Sequence, residues 1–400
     1  MNSPSRPNTD ESLALLRLTL TPGLGPVLID RLITTHGSAA ACLSLSASQL
    51  ERIRAIGSGK SSSIAGGIRD SLPLAEKELE LAASMGVAIL CRGTPGYPPL
   101  MAPLPSAPPI LYVKGTPAWS ESTGPDRFAL AIVGSRRCSA YGLEQADRFG
   151  GAMGLAGITV VSGGAMGIDT GAHRGALRAG GRTIAVLGCG LCHDYPPENA
   201  ELFAKIAAGR GAIVSELPLQ TPPSPENFPS RNRIISGLSL GVLVIEAAER
   251  SGALITARVA VEDHGREVFA LAGRVDSPSS RGTLELIKSG GAALVTEPGD
   301  IIQSLETPAR HLDSGTHSAR YLSPSSDGSG QSKSAQAESP ALFEPQIAPS
   351  DPILAALSSS MTIDQLADTT ALPMQELRAR LTLLELQRKV KRAGPRFDRS

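Results

Sequence analysis

Phe128-Ala129-Leu130-Ala131-Ile132-Val133-Gly134-Ser135-Arg136-Arg137 is a run of apolar residues that stops on glycine, serine and two arginines. An apolar run without alternation reads as a strand buried on both faces, and the glycine marks its exit. Outward from it the same figure returns at 159–161, 183–187, 212–214, 241–245, 268–271 and 293–295, with helix-length amphipathic segments between. Buried strands alternating with helices predict a parallel sheet covered on both faces. The fold class is therefore α/β, an extended Rossmann-like doubly wound sheet, placed over residues 71–304. Its first part reads as a helix at 74–85, a strand at 87–91 and a proline-rich approach, Pro108-Pro109-Ile110-Leu111-Tyr112.

Three further segments flank this domain. Residues 12–70 contain two Gly-x-Gly turns, Gly23-Leu24-Gly25 and Gly57-Ser58-Gly59, each leading into a helical stretch. That pattern suits a small helix-hairpin-helix or SAM-like domain whose turn amides meet a phosphate, or equally a helical bundle whose glycines cap helices. Residues 305–350 are rich in Ser, Gly, Pro and Gln and read as a flexible linker. Residues 351–400 show three short helical periods and a basic hairpin from Lys389 to Arg396, the outline of a winged-helix domain.

Charge narrows the function. Lys and Arg total 38 against 38 Asp and Glu, so the chain has no overall field to attract nucleic acid. Between 121 and 300 there are 17 basic and 19 acidic residues, so any DNA contact there is local. Met1 to Asp10 is polar, without the pattern of a signal peptide, and no apolar run is long enough to span a bilayer. Five cysteines over this length imply no disulfide framework, and the expected location is cytoplasmic.

In an open parallel sheet, ligands bind beyond the carboxyl ends of the strands. At the first end, Gly134 lets a phosphate approach, Ser135 offers a hydroxyl and Arg136 a guanidinium fork. At the second, Ser162-Gly163-Gly164-Ala165-Met166-Gly167-Ile168-Asp169 resembles a dinucleotide turn, but Ser162 replaces the first glycine and no acid follows at the next strand end. No cofactor is expected. Asp169 reads as a first-turn helix acid rather than a catalyst. Cys189-Gly190-Leu191-Cys192-His193 spells a haem-attachment motif, yet its place in a tight turn after a buried strand favours small packing residues over haem or zinc. The last end, Asn227-Phe228-Pro229-Ser230-Arg231-Asn232-Arg233, sets an aromatic, an amide and two arginines at a helix start. Phe228 can face a base or fill the core; Arg231 and Arg233 can hold an anion or an internal acid.

Taken in order, these segments resemble the DprA/Smf family of DNA-processing proteins. The resemblance covers about residues 95–296: Tyr97-Pro98, Val133-Gly134-Ser135-Arg136, Tyr141-Gly142, Ser162-Gly163-Gly164-Ala165, Gly167-Ile168-Asp169, Tyr195-Pro196, Asn199, Ser215-Glu216, the stretch from Phe228 to Ser236, Glu246-Ala247, Ser251-Gly252, Thr256-Ala257, Gly265-Arg266 and Val268-Phe269-Ala270. It implies a protein that binds single-stranded DNA in a basic pocket without hydrolysing nucleotide, self-associates, protects incoming DNA in natural transformation and helps load the RecA recombinase. The matching pocket positions are Gly134, Ser135, Arg136, Ser162, Gly163, Gly164, Phe228, Arg231, Asn232 and Arg233. Since all lie within 121–300, that segment alone is expected to bind. The chain departs from the family at Ala272-Gly273, at Gly282-Thr283-Leu284 and at Cys192; the first two lie near its self-association segment, here an apolar face at 284–287. The rival readings are a Rossmann-like nucleotide phosphoribohydrolase, whose Pro-Gly-Gly-x-Gly-Thr turn is missing, and a winged-helix transcription regulator.

Overall fold

The computed structural model describes residues 10–119, 124–313, 352–357, 360–370 and parts of 372–399. The chain opens with helices α1 (Asp10–Thr19), α2 (Pro26–His36), α3 (Ala39–Cys42), α4 (Ala47–Glu51) and α5 (Gly57–Met85). Both glycine turns lead into helices as expected: Gly25 precedes α2 with Pro26 at its first position, and Gly57 begins α5. Ser38 and Ser46 accept backbone N–H bonds to cap α3 and α4. The boundary expected at residue 70 falls inside α5, which runs unbroken for 29 residues. Pro73 lies within it, losing one backbone donor while the apolar face from Ile64 through Ala82 stays buried.

Nine strands form the main sheet: β1 (Val87–Cys91), β2 (Ile110–Gly115), β3 (Ala129–Val133), β4 (Thr159–Ser162), β5 (Thr183–Val186), β6 (Gly211–Ser215), β7 (Gly241–Val244), β8 (Glu267–Leu271) and β9 (Ala293–Val295). Their order is β1-β2-β6-β5-β4-β3-β7-β8-β9. Strands β3 to β9 are mutually parallel, while β2 runs antiparallel to β6 and β1 to β2. Seven of these strands lie where the apolar runs place them. The segment read as a proline-rich approach is itself a strand, β2, and covers what would otherwise be the β6 edge.

Alternate strand residues feed opposite faces, the period of two that a doubly covered sheet requires. Ala131, Val133, Val242 and Val244 pack under α9 (Asn227–Gly237) and α10 (Gly252–Glu262). Leu130, Ile132 and Leu243 pack under α6 (Ala140–Leu155), α7 (Ile168–Arg178) and α12 (Pro298–Asp313). Between them in sequence lie α8 (Ala200–Ala208) and α11 (Arg281–Lys288). Helices α6 and α7 touch backbone to backbone: a Cβ on Gly150 would stand 2.4 Å from Ala172 O. The N-terminal helices share one apolar core with β1, Leu187, Cys189, Phe203 and Leu219.

The first residues of the linker expected over 305–350 are helical. Helix α12 continues to Asp313, because Ile301, Leu305 and Ala309 recur every fourth residue and are buried on the sheet. Residues 314–350 lie outside the described residues. Beyond them come α13 (Pro352–Ala356), β10 (Met361–Thr362), α14 (Ile363–Thr370), β11 (Val390–Ala393) and β12 (Arg396–Arg399), with Leu377, Leu381 and Leu384 on helical backbone between. The three strands pair in the order β10-β12-β11 over a core of Ile353, Leu366, Leu377, Val390 and Phe397. No helix among the described residues is long and apolar enough to cross a membrane.

Candidate functional site

The strand order reverses beside β3: β4 follows on one side and β7 on the other. Loops leaving two such strands diverge and open a crevice at their carboxyl ends. A pocket of about 580 Å³ lies there. Gly134, Ser135, Arg136 and Arg137 line it from β3, Ala248, Ser251 and Gly252 from the β7 side, and Phe228, Arg231 and Asn232 from α9. Tyr195, Pro223 and Pro225 also stand in the wall, and Asp169 reaches it from the first turn of α7.

The rim is cationic and aromatic. The Arg136 guanidinium carbon lies 5.1 Å from the Phe228 ring centroid. Phe228 in turn meets Tyr195 at 5.5 Å between centroids, with the ring planes 37° apart. Tyr195 is 39% exposed, and Arg136 and Arg137 are both exposed, without an ion-pair partner among the described residues. The loop carrying them is pinned: Ser135 N–H donates to Glu246 O at 2.7 Å, and Ser135 Oγ accepts from Arg137 N–H at 3.1 Å. Asn232 donates through Nδ2 to Gly252 O at 3.2 Å, which fixes α9 to the start of α10.

The floor is closed on itself. Arg231 is 5% exposed and donates through Nη1 to Gly163 O at 2.6 Å and to Val186 O. Asp169 accepts from Gly163 N–H at 3.1 Å and from Ala165 N–H at 3.2 Å. Burial pushes the Asp169 carboxyl above the ordinary carboxylate range, against the pull of Arg231. Burial also brings Arg231 down to about 10, with Asp169 opposing. Gly167, at φ +80°, lets the turn return against the β3 loop, where a Cβ would stand 2.4 Å from Ser135 O. The turn amides that the sequence offers to a phosphate thus hold the chain's own carboxylate.

Four of the expected pocket residues are placed elsewhere. Ser162 is buried and donates its hydroxyl to Ile132 O at 2.6 Å. Gly163 carries the Asp169 and Arg231 bonds just described, and Gly164 lies against Phe203, so neither lines the pocket. Arg233 points away from it to an ion pair with Glu216, both side chains mostly buried. Burial raises Glu216 above its ordinary range while Arg233 opposes the shift. Arg137 and Tyr195 are among the lining residues not singled out for the pocket from sequence. Their signals were present, one as the neighbour of Arg136 and the other in the Tyr195-Pro196 pair. The haem-like motif does not converge either: Cys189 is buried with its thiol toward His193 O, Cys192 Sγ lies 3.4 Å from Met85 Sδ, and His193 Nε2 meets Gln220 O at 3.1 Å.

This geometry coincides with a family signature. The profile of the DNA recombination-mediator protein A family matches residues 88–306, more than half of the chain and the whole pocket. The chain belongs to that family. The profile of the DprA winged helix domain matches residues 336–394, which assigns the C-terminal fold. Protein Smf of Synechocystis is 39% identical over 304 residues, covering 73% of this chain and 75% of that protein. Protein Smf of Escherichia coli is 49% identical over 210 residues, but the match spans only 54% of its length. The X-ray structure of DNA processing protein A from Streptococcus pneumoniae superposes with a TM-score of 0.63 at 31% identity, covering 73% of this chain and 97% of that one. In DprA terms, the matched domain carries the pocket, and the winged helix lies outside it.

Proposed function

We propose that this DprA/Smf family member binds single-stranded DNA at the β3–β7 crevice, with Arg136 and Arg137 on phosphates and the Tyr195–Phe228 pair on an unstacked base. One observation carries the reading: two aromatic rings and a guanidinium with no ion-pair partner among the described residues share the rim of a recessed pocket. A base inside a duplex cannot bring its face to such a wall, whereas a single strand can. The same chemistry favours binding over nucleotide hydrolysis. Asp169, the acid that lines the pocket, is engaged by backbone amides, and Glu246 beside the β3 loop by Ser139 N–H and Oγ at 2.9 and 3.1 Å.

Within this reading the chain acts in the cytoplasm as a recombination mediator, protecting the strand in natural transformation and passing it to the RecA recombinase. It works as a homodimer through the face at 284–287. Leu286 and Ile287 are partly buried against the domain core, and Leu284 is half-buried beside the exposed Glu285. Anisotropy of labelled oligo-dT, with duplex DNA as competitor, tests the central claim. Preference for the single strand supports it, and equal or stronger binding of the duplex transfers the activity to the winged helix. Sedimentation of the full chain tests the dimer, which a monomer at every concentration would remove.

A further inference from the structure

The aromatic wall of the pocket is carried by two loops, one bearing Tyr195 and the other leading into α9 at Phe228. One is the turn after β5 that leads to Tyr195; the other follows β6 and leads through Pro223 and Pro225 to Phe228. Three contacts zip them together: Gly190 N–H to Thr221 O at 2.8 Å, Cys192 N–H to Leu219 O at 3.0 Å, and His193 Nε2 with Gln220 O at 3.1 Å. The turn also bears on the ring itself, since a Cβ on Gly188 would stand 2.8 Å from Phe228 Cδ1. Whatever fixes the zipper fixes both rings.

What fixes it is α5. Glu78, 9% exposed, accepts the Leu219 N–H through Oε1 at 2.7 Å, across 141 residues of sequence. Seven residues on, Met85 Sδ meets Cys192 Sγ at 3.4 Å, so one helix touches both strands of the zipper. Leu219 is fully buried in the core shared with the N-terminal helices. A buried charge accepting a buried N–H has no solvent substitute for that partner, which makes the contact specific in position.

We propose that Glu78 is the positioning residue for the Tyr195–Phe228 wall, so that the helical N-terminal unit sets how well the pocket holds a base. The proposal rests on the single-strand reading above. It also implies that the 121–300 fragment, which lacks Glu78, Met85 and the β2 strand that covers β6, binds with less preference for bases than the full chain.

The test uses the full chain and two oligonucleotides of equal length, oligo-dT and an abasic strand. The wild type prefers oligo-dT, because the bases stack on the wall while the phosphates are common to both. Glu78→Leu removes the acceptor and should reduce that preference by about fivefold to tenfold, the scale of one lost stacking contact. The slope of log K against log salt stays unchanged, since Arg136 and Arg137 are untouched. Glu78→Gln keeps an Oε1 acceptor and should restore the wild-type preference, which general loss of packing would not allow. Should Glu78→Leu fail to fold, Glu78→Asp, with its carboxylate drawn back from Leu219, serves in the same comparison. A folded Glu78→Leu or Glu78→Asp protein with full preference for oligo-dT overturns the positioning role, and so does Glu78→Gln losing as much as Glu78→Leu. A wild-type chain that binds neither strand, or both equally, defeats the underlying reading of the wall instead.

Discussion

At the rim of the pocket Arg136 is exposed and stacks on Phe228; on the floor Arg231 is 5% exposed and holds two backbone carbonyls. Both residues line the same cavity. Their different employment follows from what surrounds them. Arg231 rises from α9 between the ends of β4 and β5, where carbonyls are in reach and water is not. Arg136 leaves β3 on a loop pinned by the Ser135 N–H to Glu246 O and Arg137 N–H to Ser135 Oγ bonds. A buried guanidinium must find internal acceptors, so it becomes scaffold; an exposed one keeps its fork for a ligand.

The contrast is broken or sharpened most strongly at the floor. Arg231→Ala leaves Asp169 buried without its nearby cation, and should cost about 3–5 kcal/mol of stability. For a chain of this size that lowers the melting temperature by roughly 10 °C, read by circular dichroism. Lost DNA affinity with an unchanged melting curve would show instead that Arg231 is a ligand. At the rim, Arg136→Ala should leave melting unchanged and weaken oligo-dT binding by about 1.5–3 kcal/mol, with the salt slope flatter by about 0.7. A lower melting temperature without loss of affinity would erase the distinction between the two arginines.

Acid should attack the scaffold side first. Burial, followed by the nearby Arg266 and Arg233, lowers His264 to about 4, and its Nδ1 is 2.9 Å from Ser236 Oγ on the helix that carries Arg231. A histidine whose folded value lies below its unfolded one takes its proton first in the unfolded chain. The stability contributed by His264 is therefore full above about pH 6.5 and falls down to about pH 4, at up to about 1.4 kcal/mol per pH unit. Denaturant melts across that window should show the decline, and His264→Gln should make it shallower, leaving the share of His173, which burial lowers to about 3; an equal slope in the variant removes His264 as a cause. The smallest effect belongs to Tyr195→Ala, about 1 kcal/mol of oligo-dT affinity with none on the abasic strand. Equal losses on both strands would mean that the tyrosine shapes the pocket without meeting a base.

Much of the fold was legible because its strands are buried on both faces and therefore unbroken in hydrophobicity. Strands β3 to β9 fall within a residue or so of the apolar runs, and the glycine and serine ends mark the loops that build the pocket. Strand β2 was not legible: Pro108 and Pro109 punctuate its start, and its pairing with β6 joins segments about a hundred residues apart. The site was half legible for a similar reason. Gly134, Ser135, Arg136, Phe228 and Asn232 stand where their loops predicted. Ser162, Gly163, Gly164 and Arg233 do not line the cavity, because their partners (Ile132 O, Asp169, Phe203 and Glu216) are brought to them by folding. Residue type announced the capacity for an anion and left open which anion fills it.

The carboxylate held by the 163–165 turn has one further consequence. A loop that already encloses its own anion keeps its shape with no ligand present, so the floor is preorganised. Association then has to immobilise little more than the Arg136 and Arg137 side chains, at about 0.5–1.5 kcal/mol each, instead of ordering a glycine-rich backbone. Free and occupied pockets should therefore superpose closely along the β4–α7 turn, and the entropy lost on capture should come from the rim and the strand.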